Sequence, residues 1–191
     1  MMFMTVFHHL VVGLVAGSGV IMGICAILVW LSSYISNLES SKTTLDRAAY
    51  VASIFTMVVI PLAIISGNFS STNSGGAIFY NKFLFSGIAL GFSVSYFVGR
   101  VRFGPELWNH SSLANLQMIS ALFALTSIMI LGSIGSKITL GESTLDIFPF
   151  WPDFMNSIVI NQWFSLLLVI FGLISVVISL RSSTIKFSLN D

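Results

Sequence analysis

Charge is what this sequence lacks most. Its 191 residues include eight Lys or Arg and seven Asp or Glu, a net charge of +1 and 8% charged residues in all. A soluble globule of this size needs far more polar surface than that, so a water-exposed single domain is excluded. The basic residues are scattered, which removes the electrostatic footprint expected of a nucleic-acid binder or of a polybasic membrane-surface segment. There is one cysteine, Cys25. No disulfide can form within the chain, and a lone thiol inside an apolar run reads as a small packing residue. Also missing are a phosphate-cradling glycine loop, a nucleophile elbow, a metalloprotease helix and any cysteine-based metal pattern.

What is present is hydrophobic length. Apolar residues make up 55% of the chain, and mean hydropathy is +0.96. No Lys, Arg, Asp or Glu occurs from Met1 to Leu38, and Leu10 to Ile35 is apolar apart from small residues, one tryptophan and a few hydroxyls. About 20 such residues cross a bilayer at ~1.5 Å rise each, so this run is a transmembrane helix with length to spare for tilt. A secretory signal peptide fits poorly, since the preceding MMFMTVFHH has no Lys or Arg and no small-x-small cleavage site precedes the polar stretch at Ser36 to Arg47. The segment is therefore expected to be retained.

Five apolar segments follow from the same reading, at roughly 10–35, 48–66, 83–99, 113–134 and 158–180. They lack strand alternation, and backbone in lipid must satisfy its own hydrogen bonds, so each is predicted to be helical. The expected fold class is all-α: a polytopic integral membrane protein whose single domain, 1–191, is a bundle of five transmembrane helices. An outer loop at 67–82 and a longer outer loop at 136–157, rich in aromatic and acidic residues, complete it. Basic residues in alternate connections give the orientation: Lys42, Arg47, Arg100, Arg102, Arg181 and Lys186 fall on one side, Lys82 and Lys137 on the other. That bias predicts the N-terminus outside and the C-terminus in the cytoplasm. The membrane expected is the cytoplasmic membrane of a prokaryotic cell.

Small residues recur along the helices. Ala16, Gly19, Gly23 and Ala26 form one seam; Gln117, Ser120, Ala124 and Ser127 form a second; Ser165, Gly172, Ser175 and Ser179 form a third, with Leu168 filling the gap. Gly87 and Gly91 stand at small-xxx-small spacing. Helices in lipid associate by close packing and interhelical hydrogen bonds, so these seams should face protein. The first is expected against the fourth or fifth helix, or a partner. Pro61 should bend or end the second helix, and GNFSSTNSGG from Gly67 to Gly76 reads as a flexible polar loop. Asn68-Phe69-Ser70 matches a glycosylation acceptor. Around Pro105, Arg100, Glu106, Trp108 and His110 read as an ordinary interfacial anchor rather than a site. The segment FPFWPDF, broken by Pro149 and Pro152, should lie in the interface or against another protein.

Chemistry is sparse. No ionisable residue falls in the middle third of any span, which argues against a pump or proton-coupled carrier. Haem b between helices needs ligands at similar depth, yet His8 and His9 begin the first helix while His110 precedes the fourth at the opposite side. A transition metal is the other cofactor considered, with His8, His9, Glu142, Asp146 and Asp153 as the candidate ligands on one membrane side. Neither is predicted to be bound, and no catalytic residue is assigned.

A histidine at the head of the first helix, Leu45-Asp46 opening the second, Gly67 after it and GSIGSKITLGES closing the fourth resemble a class of small multi-pass prokaryotic membrane proteins of about four helices. The resemblance covers Phe7 to Asp146. It implies a place beside haem-containing electron-transfer partners. The chain departs from the class in having His8-His9-Leu10 where His-Pro is expected, and in adding a fifth helix, so no functional residue carries over. The function expected is a non-catalytic accessory or structural subunit of a larger membrane complex, with the lipid bilayer and other membrane subunits as partners. A small haem- or quinone-associated redox component and a passive small-solute transporter are the alternatives.

Overall fold

A computed structural model describes residues 2–70, 76–147 and 158–182. Five long helices carry the structure: α1 (Met2–Ser32), α2 (Lys42–Ser70), α3 (Ala77–Phe103), α4 (Ser111–Leu140) and α5 (Gln162–Ser182). A single turn, Ser36–Glu39, joins α1 to α2, and short 3-10 turns at Pro105–Asn109 and Thr144–Ile147 follow α3 and α4. Among the described residues there is no strand. All five helices are long and apolar enough to cross a membrane.

The helices extend past the apolar segments that announced them. Hydropathy marks where a chain is greasy, whereas a helix continues until the backbone is given a reason to stop. For α3 and α4 that reason is glycine: Gly104 at φ 68° and Gly141 at φ 79° take the positive-φ conformations that L side chains disfavour, and their amides bond back to the carbonyls of Arg100 and Lys137. Both expected outer loops therefore shrink. Residues 67–70 belong to α2, 77–82 to α3 and 136–140 to α4, while 71–75 of the Gly67 to Gly76 stretch and the whole of FPFWPDF, 148–154, lie outside the described residues. Two stretches fail the other way: 33–35 lie past the end of α1, and Ile158 to Asn161 stand before α5 rather than in it.

Pro61 does not end its helix. It sits inside α2, which continues to Ser70. A proline removes one hydrogen bond, and a long apolar helix packed on its neighbours tolerates that loss. Here α2 packs along α1 and α3.

Four helices close a ring, with α1 packed on α2 and α4, and α3 packed on α2 and α4; α5 lies outside the ring against α3. The interior divides into two apolar clusters. One gathers Val11, Val15, Met57, Ile60, Leu90 and Phe97 toward the start of α1, and the other gathers Met22, Val29, Tyr96, Leu107, Trp108 and Ala121 toward its end. Buried hydroxyls are satisfied mainly on their own helices: Ser93 donates to Ala89 O at 2.7 Å, Thr56 to Ala52 O at 2.8 Å and Ser127 to Phe123 O at 2.8 Å. Such local bonds let polar residues enter an apolar interior without leaving an orphaned donor.

The small-residue seams face protein, with two exceptions, Ala16 and Gly91, and with Ser175 of the third seam only half-buried. Gly19 lies against Ile128, and a Cβ at Gly23 would stand 2.8 Å from the Cβ of Leu125, so the first seam packs on α4. Ala16 is exposed and does not belong to it. The buried stripe of α1 runs Val11, Val15, Gly19, Met22, Ala26, Val29, stepping from Val15 to Gly19 and leaving Ala16 to one side. On α4, Gln117, Ser120, Ala124 and Ser127 are all buried. Between α3 and α5 the close approach falls at Gly87, where a Cβ would meet the backbone carbon of Leu168 at 2.9 Å, and at Gly172, which lies 3.0 Å from Leu90 by the same construction. Ser165 and Ser179 are buried on the same side of α5. Gly91 faces open space, so the Gly87/Gly91 pair does not act as a unit.

Candidate functional site

Alternating helix directions bring functional side chains to two ends. At one end meet the start of α1, the end of α2, the start of α3 and the end of α4. At the other lie the end of α1, the start of α2, the end of α3, the Pro105–Asn109 turn and the start of α4.

The second end holds the strongest polar arrangement in the molecule. Arg100 Nε donates to Asp46 Oδ1 and Oδ2 at 2.9 and 3.0 Å, and Arg100 Nη2 donates to Oδ2 at 2.7 Å. Trp108 Nε1 donates to Asp46 Oδ1 at 2.7 Å. The carboxylate is buried, as is the tryptophan. The guanidinium also lies 5.4 Å from the centroid of the Tyr50 ring, which stacks on Phe97. Charge-assisted, bidentate bonds of this kind fix geometry as well as charge.

Local structure explains how these groups meet. Gly104 stops α3 one turn after Arg100, and Pro105 opens the turn that carries Trp108 back beneath the bundle. The expectation of an ordinary interfacial anchor is thereby corrected for Arg100 and Trp108, which point inward to Asp46. Glu106 and His110 do remain exposed. The sequence carries one signal of this site: Asp46 is an acid set at the edge of an apolar run. Its partners, 54 and 62 positions away, were not inferable without the α2 to α3 placement.

Deeper on this side, Gln117 Nε2 donates to the backbone carbonyl of Tyr96 at 2.7 Å. Gln117, Ser95, Gly99 and Leu107 help line a pocket of about 40 Å³, room for one or two waters. The Tyr96 hydroxyl is buried and has no hydrogen-bond partner among the described residues.

At the first end, His8 is held from two sides. Ser66 Oγ stands 3.0 Å from His8 Nδ1 and 2.7 Å from the carbonyl oxygen of Leu62 on its own helix. Gly67 makes room for the ring, since a Cβ there would stand 2.9 Å from His8 Cε1. Lys82, half-buried on α3, lies within electrostatic range of the imidazole.

The four candidate metal ligands among the described residues are not drawn together. His8 turns to α2, His9 and Glu142 are exposed, and Asp153 lies outside the described residues. Asp146 is held by Lys137 Nζ and accepts the Ser143 amide at 2.9 Å. Among the described residues no three His, Cys, Asp or Glu side chains form a metal-sized group.

The Lys137 ammonium, followed by the Ser143 amide, holds the Asp146 carboxyl below its ordinary range. A carboxylate with a depressed folded-state pKa stabilises the turn above its unfolded value, and that contribution disappears as pH falls through the folded value. Carboxyl NMR titration should therefore give Asp146 a midpoint below the ~3.9 of a free aspartate, moving upward in Lys137→Ala. An unshifted midpoint in the wild-type chain would contradict the pairing.

No family model, curated protein or solved structure matches the chain. The class defined by its own structure is an all-helical bundle with five candidate membrane spans, bearing a buried ion pair at one end and an imidazole and lysine at the other.

Proposed function

We propose that the chain is a multi-pass protein of the cytoplasmic membrane and a non-catalytic accessory subunit of a larger membrane complex. The Asp46 end faces the cytoplasm in this reading, because Lys42, Arg47, Arg100, Arg102 and Arg181 gather there. The observation that carries the subunit role is the position of α5. It packs on α3 outside the ring, and its other flank exposes Trp163, Phe164, Ile170, Phe171, Ile174 and Val177. A four-helix ring closes without it, so the appended helix serves as a surface for a neighbouring membrane subunit. Isolation in mild detergent is expected to yield a stoichiometric membrane partner; a lone monomer would overturn the reading.

One observation favours a redox component as the second reading. His8 Nδ1 is engaged by Ser66 Oγ at 3.0 Å, an arrangement that leaves Nε2 as the nitrogen to ligate. An absorption spectrum of the purified protein decides it: a Soret band lost in His8→Ala supports a haem, and the absence of any band removes the haem version.

A further inference from the structure

We infer that the crevice between α3 and α4 at the Asp46 end is a hydration site inside the membrane, holding about one or two water molecules against Ser95, Ser120 and Gln117. This rests on the membrane reading above and not on the subunit role.

Most buried hydroxyls of the bundle direct their hydrogen to a carbonyl of their own helix, as Ser93, Thr56 and Ser127 do. Ser95 and Ser120 do not. Their oxygens stand 3.3 Å apart across α3 and α4, and either can donate to the other, so the pair carries two hydroxyl hydrogens and uses one of them. The second hydrogen has no acceptor among the described residues. Ser120 is buried, and Ser95 faces the crevice.

Gln117 brings further unused positions to the same place. It lies one turn before Ser120 on α4, is 4% exposed, and donates one hydrogen from Nε2 to Tyr96 O at 2.7 Å, which fixes which end of the amide is which. That leaves Oε1 and the other N–H without a bond to a described residue. Oε1 is turned to Gly99, where a Cβ would stand 2.5 Å from it, so the absent side chain is what admits the oxygen. Ser95, Gly99 and Gln117 line one crevice of about 40 Å³.

The lining selects the ligand. None of its residues is charged, so nothing there compensates an ion. The unused positions include donors and an acceptor. A ligand that only accepts, such as a ketone, would leave Oε1 unmet, whereas water donates and accepts. Phe103, Leu107, Leu113 and Leu116 alone would leave the space dry; the hydroxyl and amide groups give a water the polar partners it needs.

Depth makes those partners matter. Ser95 precedes the end of α3 by about 12 Å, and Gln117 follows the start of α4 by about 9 Å, at ~1.5 Å per residue. Helices of 27 and 30 residues overshoot a ~30 Å hydrocarbon layer by about 5 to 8 Å at each end. Both side chains therefore stand within that layer, where an unmet polar atom finds no bulk solvent.

The test is hydroxyl-radical footprinting of the full-length chain in lipid nanodiscs, in which radicals made by brief irradiation of water oxidise the side chains they touch. Leu107 lines the crevice at 1% exposure, while Val29, at 0%, belongs to the same apolar cluster and does not line it. After correction for intrinsic reactivity, Leu107 is expected to be oxidised about tenfold faster than Val29, because a bound water places the radical source in contact with it. Ser95→Leu, which fills the crevice with an apolar side chain, should bring Leu107 to the level of Val29. Thr126→Leu, at an exposed position of α4 outside the crevice, should leave the ratio unchanged. Equal oxidation of Leu107 and Val29 in the wild-type chain overturns the inference, since lipid or another part of the chain then fills the space; this comparison decides even where leucine disturbs folding. An unchanged ratio in a folded Ser95→Leu variant overturns it as well. Heavy oxidation of Phe123, exposed about 18 Å inside the start of α4, would instead remove the membrane reading itself.

Discussion

Replacing Asp46 with alanine is expected to cost about 3 to 5 kcal/mol of unfolding free energy, the range seen when one member of a buried ion pair is removed. Two groups lose their acceptor at once. Arg100 keeps its charge in a site where its side chain is 15% exposed, and the buried Trp108 indole N–H is orphaned. Removing both charges has a different result. Asp46→Leu combined with Arg100→Met leaves no stranded ion, so the double variant should recover most of the loss. Arg100→Lys, which keeps the charge but not the fork that meets both carboxylate oxygens, should fall between the two. Reversible unfolding in mixed micelles checks all three; an Asp46→Ala variant as stable as the wild-type chain would show that the ion pair does not hold this end together.

Leucine at Gly23 is expected to break the packing of α1 on α4. The new Cβ would stand 2.8 Å from both Cβ and Cδ2 of Leu125, closer than carbon atoms approach, and the remaining leucine atoms would need space that α4 occupies. Overpacking typically costs ~1 to 3 kcal/mol, and a helix interface built on glycine sits at the upper end because its backbones must separate. Val20 is 38% exposed, so Val20→Leu should be tolerated. Equal thermal stability of Gly23→Leu and Val20→Leu would show that the seam does not bear on α4.

These two sites differ in how far the sequence disclosed them. The Gly19, Gly23, Ala26 seam is legible because a helix repeats every three to four residues, so side chains on one face can be read off one segment. The same logic retrieved Gln117, Ser120, Ala124 and Ser127. It failed at Ala16 and Gly91, where the spacing is right but no neighbour lies opposite. The pairing of Asp46 with Arg100 and Trp108 joins three separate elements, and no local period encodes such a meeting. Helix ends were misjudged for a related reason: α3 and α4 stop at Gly104 and Gly141, not at the last apolar residue. The His8 end was half legible. Sequence reading gives the imidazole carboxylates as companions, whereas Ser66 and Gly67 are the residues that hold it.

Both ends of the bundle acquire meaning only once they are assigned to opposite sides of a membrane. Fusions of a reporter active only in the cytoplasm, placed after residues 75, 105 and 182, test that assignment most directly. The account predicts activity at 105 and 182 and silence at 75, with five helices crossing and the Asp46 end inside. Activity at 75 with silence at 105 would contradict it.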